Sequence, residues 1–257
     1  MTAPAALAAR RTRRPAPPAA ARRPPPLVWF FDLDDTLHDA SFAMFDAIDA
    51  RMTAFVQRQL ALERPAADAL RRHYWLRYGA TFVGLVRNHR IDAHQFLRET
   101  HDFDVPALLR AERGLAHLGR RLHERKVLLT NAPRQYAAQV LHGIGLHRHI
   151  ATRYAVENMR IHGHYRPKPS GSMFRAVLAR EGLHGRSPAA RPVLVDDNAA
   201  NLKAARAAGF ATVLIDRPSG TGPRRLAGGA FVDARIRSVK RLPALAARLR
   251  RAVILRA

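Results

Sequence analysis

The chain contains no cysteine, which excludes disulfides, thiolate metal centres and cysteine nucleophiles together. Such a composition suits a reducing compartment, and a cytoplasmic location is the expectation. Acids are also scarce, 20 Asp and Glu against 44 Lys and Arg, for a formal charge of +24. No apolar run approaches the roughly 20 residues needed to cross a bilayer, so no membrane role is expected. The first 26 residues hold six Arg and no acid but lack the compact apolar stretch of a secretory leader. Proline breaks any helix that their alanines would start, and we expect a disordered basic tail.

The surplus of positive charge favours polyanions, whether nucleic acid, anionic membrane or phosphorylated metabolites. Much of it sits at the ends, with eight Lys or Arg after Asp233. A general bias toward Ala and Arg accounts for this as well as a weak nucleic-acid or polyanion-binding tail does. What the chain does have is a 47% hydrophobic content over 257 residues, enough for a real core.

Short apolar runs recur and stop at polar residues. "PLVWFFDLD" reads as a buried strand ending at an acid cluster, and "KVLLT", "PVLVDD" and "ATVLI" read likewise. Residues 133–145, 172–183 and 199–208 show apolar spacing of three and four, with Gly145 and Gly209 placed as helix stops. Strands alternating with helices predict an α/β fold, a doubly wound Rossmann-like parallel sheet whose ligands gather beyond the carboxyl ends of the strands. Between the first two strands lie about ninety residues with helical patterning throughout, far beyond the 2–6 residues of an ordinary βα loop. Phe42, Phe45, Ile48, Met52, Phe55 and Val56 share one face there. The expected organisation is a basic tail over 1–26, an α/β core over 27–40 and 115–234, an inserted helical cap over 41–114 and a basic C-terminal helix over 235–257.

Asp32, Asp34 and Asp35 crowd into four positions at the end of the first strand. Like charges that close repel, and loss of water raises the cost, so a cation or a hydrogen-bond network must offset it. The fold expected above brings Thr130, Asn131, Lys168, Asp196 and Asp197 to the same edge. Carboxylates from two strand ends make a hard oxygen cage suited to Mg2+, and a lysine and a hydroxyl beside it complete a pocket for a phosphoryl group.

"DLDDT", "LLTNA", "RPKP" and "VLVDDN", in this order and spacing, resemble the four signature motifs of the haloacid dehalogenase (HAD) superfamily over residues 27–216. "YGATFVGL" at 78–85 is similar to the cap segment of the pyrimidine 5′-nucleotidase subgroup. The resemblance implies a Mg2+-dependent phosphomonoester hydrolase acting on a small phosphorylated metabolite, with a pyrimidine nucleoside 5′-monophosphate as the leading candidate. Asp32 would be the nucleophile and Asp34 the general acid and base. Thr130, Asn131 and Lys168 would hold the phosphate. Asp32, the Asp34 backbone carbonyl, Asp196 and Asp197 would bind the metal. Members that cleave carbon–halogen bonds lack the second Asp, so Asp34 favours phosphate.

The chain departs from the family pattern at His38, where Tyr is common. It departs again at Ala80, where the subgroup commonly has Thr, and at Tyr136, where His is frequent; neither of these two removes a catalytic group. Asp35 reads as a turn or cap residue, and Tyr78 and Phe82 as cap core rather than base-stacking platforms. Arg87 and Arg90 read as a solvated basic face, and the histidines at 147–149 and 162–164 as solvated rather than metal-binding. Two rivals remain open: a sugar phosphomutase, and a non-catalytic module that binds RNA or another polyanion.

Overall fold

The computed structural model describes residues 25–185, 189–217 and 229–251. The strands are β1 (Leu27–Phe31), β2 (Arg125–Leu129), β3 (Thr152–Tyr154), β4 (Arg160–Ile161), β5 (His164–Tyr165), β6 (Arg191–Asp196), β7 (Ala211–Ile215) and β8 (Ala234–Ile236). Six of them form one parallel sheet in the order β3-β2-β1-β6-β7-β8, and β4 and β5 form a small antiparallel pair. The helices are α1 (Met44–Leu60), α2 (Arg64–Tyr78), α3 (Thr81–His89), α4 (Ala93–Thr100), α5 (Val105–Leu108), α6 (Leu115–Arg121), α7 (Arg134–Gly143), α8 (Gly171–Arg180), α9 (Ala199–Ala208) and α10 (Leu242–Arg251).

A parallel sheet covered on both faces needs strands that are apolar on both sides, and β1, all five residues buried, meets that need. Trp29 and Phe31 pack with α6, α7 and α10 through Leu118, Val140 and Leu242. Val28 and Phe30 turn the other way, onto Phe174 of α8 and Leu202 of α9. Each aromatic withdrawn from water contributes roughly 1.5–3 kcal/mol, and β1 is thereby fixed at the centre of the sheet.

Helices α1 to α4, inserted between β1 and β2, have a core of their own, including Phe55, Ala67, Tyr74, Phe82 and Phe96, whereas α5, inside the expected cap span of 41–114, packs into the core of the sheet domain through Val105 and Leu108. The insertion is not one continuous helical run. Left-handed residues at Ala61, Gly79 and Arg90 end α1, α2 and α3. Two members of the expected apolar face lie open, Phe42 at 57% and Phe45 at 39% exposure, while Met44 between them is fully buried. Phe42 precedes α1, and the Arg110 guanidinium covers its ring at 4.4 Å. Spacing shows which side chains share a face and not whether anything covers that face.

Two of the contacts that join the insertion to the sheet domain fall on the segment around Lys168. Phe82 meets Tyr165 edge to face at 4.9 Å. At Gly79, with φ +79, an added Cβ would stand 2.9 Å from the Lys168 carbonyl oxygen. Only glycine serves both that close approach and the positive φ. Within the insertion, α2 and α3 touch so closely that a Cβ on Gly84 would lie 2.2 Å from the Tyr74 ring. Gly84→Ala is therefore expected to cost about 1–3 kcal/mol through overpacking, read as a lower midpoint in chemical denaturation. An unchanged midpoint would mean that the two helices part without penalty.

At the C-terminal side, 235–257 is not a helix throughout. Residues Ala234–Ile236 add the sixth strand, and the helix starts only at Leu242. Residues 1–24, where the disordered tail was expected, and 252–257 lie outside the described residues. Among the described residues no helix is long and apolar enough to cross a membrane.

Candidate active site

The register of β1 builds the site. Phe31 pairs with Val195 of β6 on one side and with Leu128 of β2 on the other. The residues that follow, Asp32 and Asp196, are therefore neighbours by strand pairing although far apart in sequence. The Asp32 N–H continues the ladder by donating to the Val195 carbonyl at 3.0 Å. Asp32 Oδ1 accepts from the Leu33 N–H at 2.7 Å and from Lys168 Nζ at 2.8 Å. Both contacts fall on one oxygen, and among the described residues no hydrogen bond falls on Oδ2.

Lys168 is 2% exposed, and its Nζ also reaches Asp196 Oδ2 at 2.8 Å. Burial works against its charge, but the carboxylates of Asp196 and Asp32 outweigh that and hold the ammonium above its ordinary pKa. Asp32 is raised well above the usual carboxylate range, first by burial and then by the charges of Asp196 and Asp197, with Lys168 opposing. Asp197 is pushed up to about 7 by burial, Asp196 and Asp35. Such crowding of acids is the electrostatic signature of a site that accepts a cation.

Lys168 is held by Asn131, whose amide donates to the Lys168 carbonyl at 3.0 Å and accepts from its N–H at 2.9 Å. The Asn131 side chain is thereby committed to positioning, and its backbone N–H is the group left for a ligand. Thr130 Oγ1 accepts from the Ala132 N–H at 3.0 Å, so its own proton remains to be donated.

Asp196 is held by the Asn198 N–H at 2.8 Å on Oδ1 and by Asn201 Nδ2 at 3.0 and 3.1 Å on its two oxygens. Asn198 also caps α9, which fixes where Asn201 projects. Thr36 donates to Asp197 Oδ1 at 3.3 Å. Neither Thr36 nor Asn201 was singled out from the sequence, although Thr36 closes "DLDDT" and Asn201 lies three residues past "VLVDDN". The offset of five from Asp196 to the first turn of α9 was the signal for Asn201.

One oxygen each from Asp32, Asp196 and Asp197 lie within 4.8 Å of one another. Among the described residues this is the one cluster of metal-ligating side chains, and the histidine-rich stretches contribute to none. All three donors are hard carboxylate oxygens, which fits Mg2+.

The Asp34 side chain lies outside that cluster. Its Oδ1 accepts from the Tyr136 hydroxyl at 2.8 Å and from His38 Nε2 at 2.9 Å. Burial alone would raise this carboxyl, but the bonds from His38 and Tyr136 and the charge of His38 prevail and lower it. The Tyr136 hydroxyl is itself pushed up by burial and by Asp34, and burial takes the nearby His101 down to about 4. Asp35, with φ 53, accepts from the Ser41 N–H and hydroxyl at 2.9 and 2.5 Å, the turn role expected of it. Phe82 is buried in the insertion, and the Arg87 guanidinium lies 5.2 Å over the Tyr78 ring.

A central parallel sheet with a helical insertion after β1, and acids and a buried lysine at the strand ends, defines a HAD-type α/β hydrolase. Residues 28–209 match the family described as haloacid dehalogenase-like hydrolase, and the chain belongs to that family. It is 24% identical over 197 residues to Phosphate metabolism protein 8 of Saccharomyces cerevisiae, an alignment covering 73% of this chain and 60% of that protein. The chain thus spans about three fifths of that relative's length. Among solved structures it is similar to a HAD phosphatase from Thermococcus onnurineus, with a TM-score of 0.56, 18% identity, and 85% and 96% of the two chains covered. It is also similar to the L-2-haloacid dehalogenase of Xanthobacter autotrophicus, with a TM-score of 0.51, 15% identity, and 85% and 97% covered. At such identities the likeness establishes the fold, and the two neighbours carry different chemistries.

Proposed function

We propose that the protein is a phosphomonoester hydrolase that works through an aspartyl-phosphate, with α1 to α4 acting as a cap over the strand ends. The observation that carries this reading is Asp34, a second carboxylate two residues beyond Asp32, hydrogen-bonded and aimed independently of the acid cluster. A halide leaves carbon without a proton, whereas an alkoxide leaving phosphorus needs one. The acid cluster and Lys168 support it further, since a dianion must be brought against carboxylates.

Asp32 Oδ2, which carries no hydrogen bond among the described residues, attacks phosphorus. Thr130, the Asn131 N–H and Lys168 hold the phosphoryl oxygens. Asp34 gives a proton to the departing oxygen and later takes one from the water that splits the acyl phosphate. Asp32, Asp196, Asp197 and the Asp34 carbonyl would hold Mg2+, which supplies positive charge opposite the transferring phosphoryl group. The substrate we favour is a small organic phosphate, with a pyrimidine nucleoside 5′-monophosphate first. The resemblance of segment 78–85 to the cap of that subgroup supports it, and the close approach of Gly79 to the Lys168 carbonyl sets the α2–α3 turn beside the site.

A panel of nucleoside monophosphates, sugar phosphates and a 2-haloacid, assayed with Mg2+ and with EDTA, tests the reading. Phosphate release that needs Mg2+, without halide release, is expected. Halide release indifferent to EDTA, or phosphate transfer to a second hydroxyl of a hexose phosphate, would overturn it.

A further inference from the structure

The two donors on Asp34 converge on one atom. Tyr136 and His38 both bond Oδ1, at 2.8 and 2.9 Å. Among the described residues no hydrogen bond falls on Oδ2. A carboxylate turns freely about its Cβ–Cγ bond unless something distinguishes its oxygens, and here two donors do so.

Tyr136 is in turn held by the chain on both sides of the helical insertion. Its hydroxyl lies 3.0 Å from Met44 Sδ at the start of α1. Its ring packs against His101 at 5.3 Å and Phe103 at 6.0 Å, just after α4. Tyr136 is 1% exposed and His38 fully buried, so neither has water as an alternative partner.

We propose that Tyr136 is a positioning residue which, with His38, pins Asp34 Oδ1, presents Oδ2 alone to the ester oxygen, and braces that arrangement against both ends of the insertion. This rests on the phosphatase reading above and deepens it. In the first step Oδ2, having taken a proton from solvent, passes it to the ester oxygen as that oxygen's bond to phosphorus breaks and the bond from Asp32 to phosphorus forms. In the second, water attacks phosphorus, its proton passes to Oδ2, and Asp32 is regenerated with release of phosphate. Tyr136 touches no reacting atom and works through where Oδ2 sits.

The test compares wild type with Tyr136→Phe on p-nitrophenyl phosphate, whose leaving group needs no proton, and on an alkyl phosphate, whose leaving group does. Since kcat/KM reports only the first step, the variant should lose about tenfold or more on the alkyl ester and less than about threefold on the aryl ester. It should also show a burst of nitrophenolate, because hydrolysis of the acyl phosphate still needs Oδ2 as base. A purely structural role would lower the melting temperature and reduce both esters alike. Equal losses, or none, overturn the inference while wild-type activity leaves the phosphatase reading standing. A wild type inactive on both esters removes that reading first, and this inference with it. Should Tyr136→Phe be too unstable to assay, His38→Asn takes the other donor from the same oxygen and must give the same asymmetric loss.

Discussion

Asp32→Asn is expected to lower phosphate release by about a thousandfold or more, roughly 4 kcal/mol of barrier, without unfolding the protein. The oxygen that Leu33 and Lys168 bond is Oδ1, which asparagine keeps as an acceptor. What changes is the open position, where an amide nitrogen with no nucleophilic lone pair replaces Oδ2. Stability should move little. The variant loses an ionic partner of Lys168 but also a carboxyl that burial, Asp196 and Asp197 hold in an unfavourable state. Phosphate release read beside thermal unfolding separates the two effects. More than about a tenth of wild-type activity would dismiss Asp32 as the nucleophile.

Lys168→Met should give the largest loss of stability. It keeps the length of the side chain and removes the charge that two buried carboxylates share at 2.8 Å each. Breaking a buried pair by deleting one partner typically costs about 3–5 kcal/mol, because the remaining charge has neither water nor counterion. The loss should shrink as pH falls, since Asp32 already takes up a proton more readily than an ordinary carboxyl and a neutral acid needs no ammonium. Added Mg2+ should restore part of it, by about 2.7 kcal/mol at a hundredfold excess over its dissociation constant. Denaturation midpoints at neutral and acidic pH, with and without Mg2+, check each part. A variant as stable as wild type at neutral pH without metal would show that the acids are not ionised together.

Much of this site was legible before any coordinates. Strand ends show in a sequence because apolar runs stop abruptly, and topology then places whatever polar residue follows. Asp32, Thr130 and Asp196 were found in that way, and Lys168, which follows no apolar run, through its place in the ordered series of motifs. Tyr136 and His38 were visible only as two unrelated departures from a family pattern. Their joint hold on one oxygen of Asp34 depends on how α7 packs against the turn after β1, which no local spacing encodes. Phe42 and Phe45 were misjudged for the same reason, since the amphipathic period says nothing about where the covering helix ends. The edge strand β8 escaped notice because "ARI", with its central residue exposed, lacks the apolar run of a buried strand.

The position of β1 also bears on how the molecule acquires activity as it is made. Asp32 follows the first strand of the sheet in chain order, yet the partners of that strand on both sides, Leu128 and Val195 opposite Phe31, come much later in the sequence. Pairings of such long sequence separation form late and together. A chain that stops before β6 carries Asp32 with no opposing Asp196, so the phosphate release proposed above would double as a reporter of complete folding.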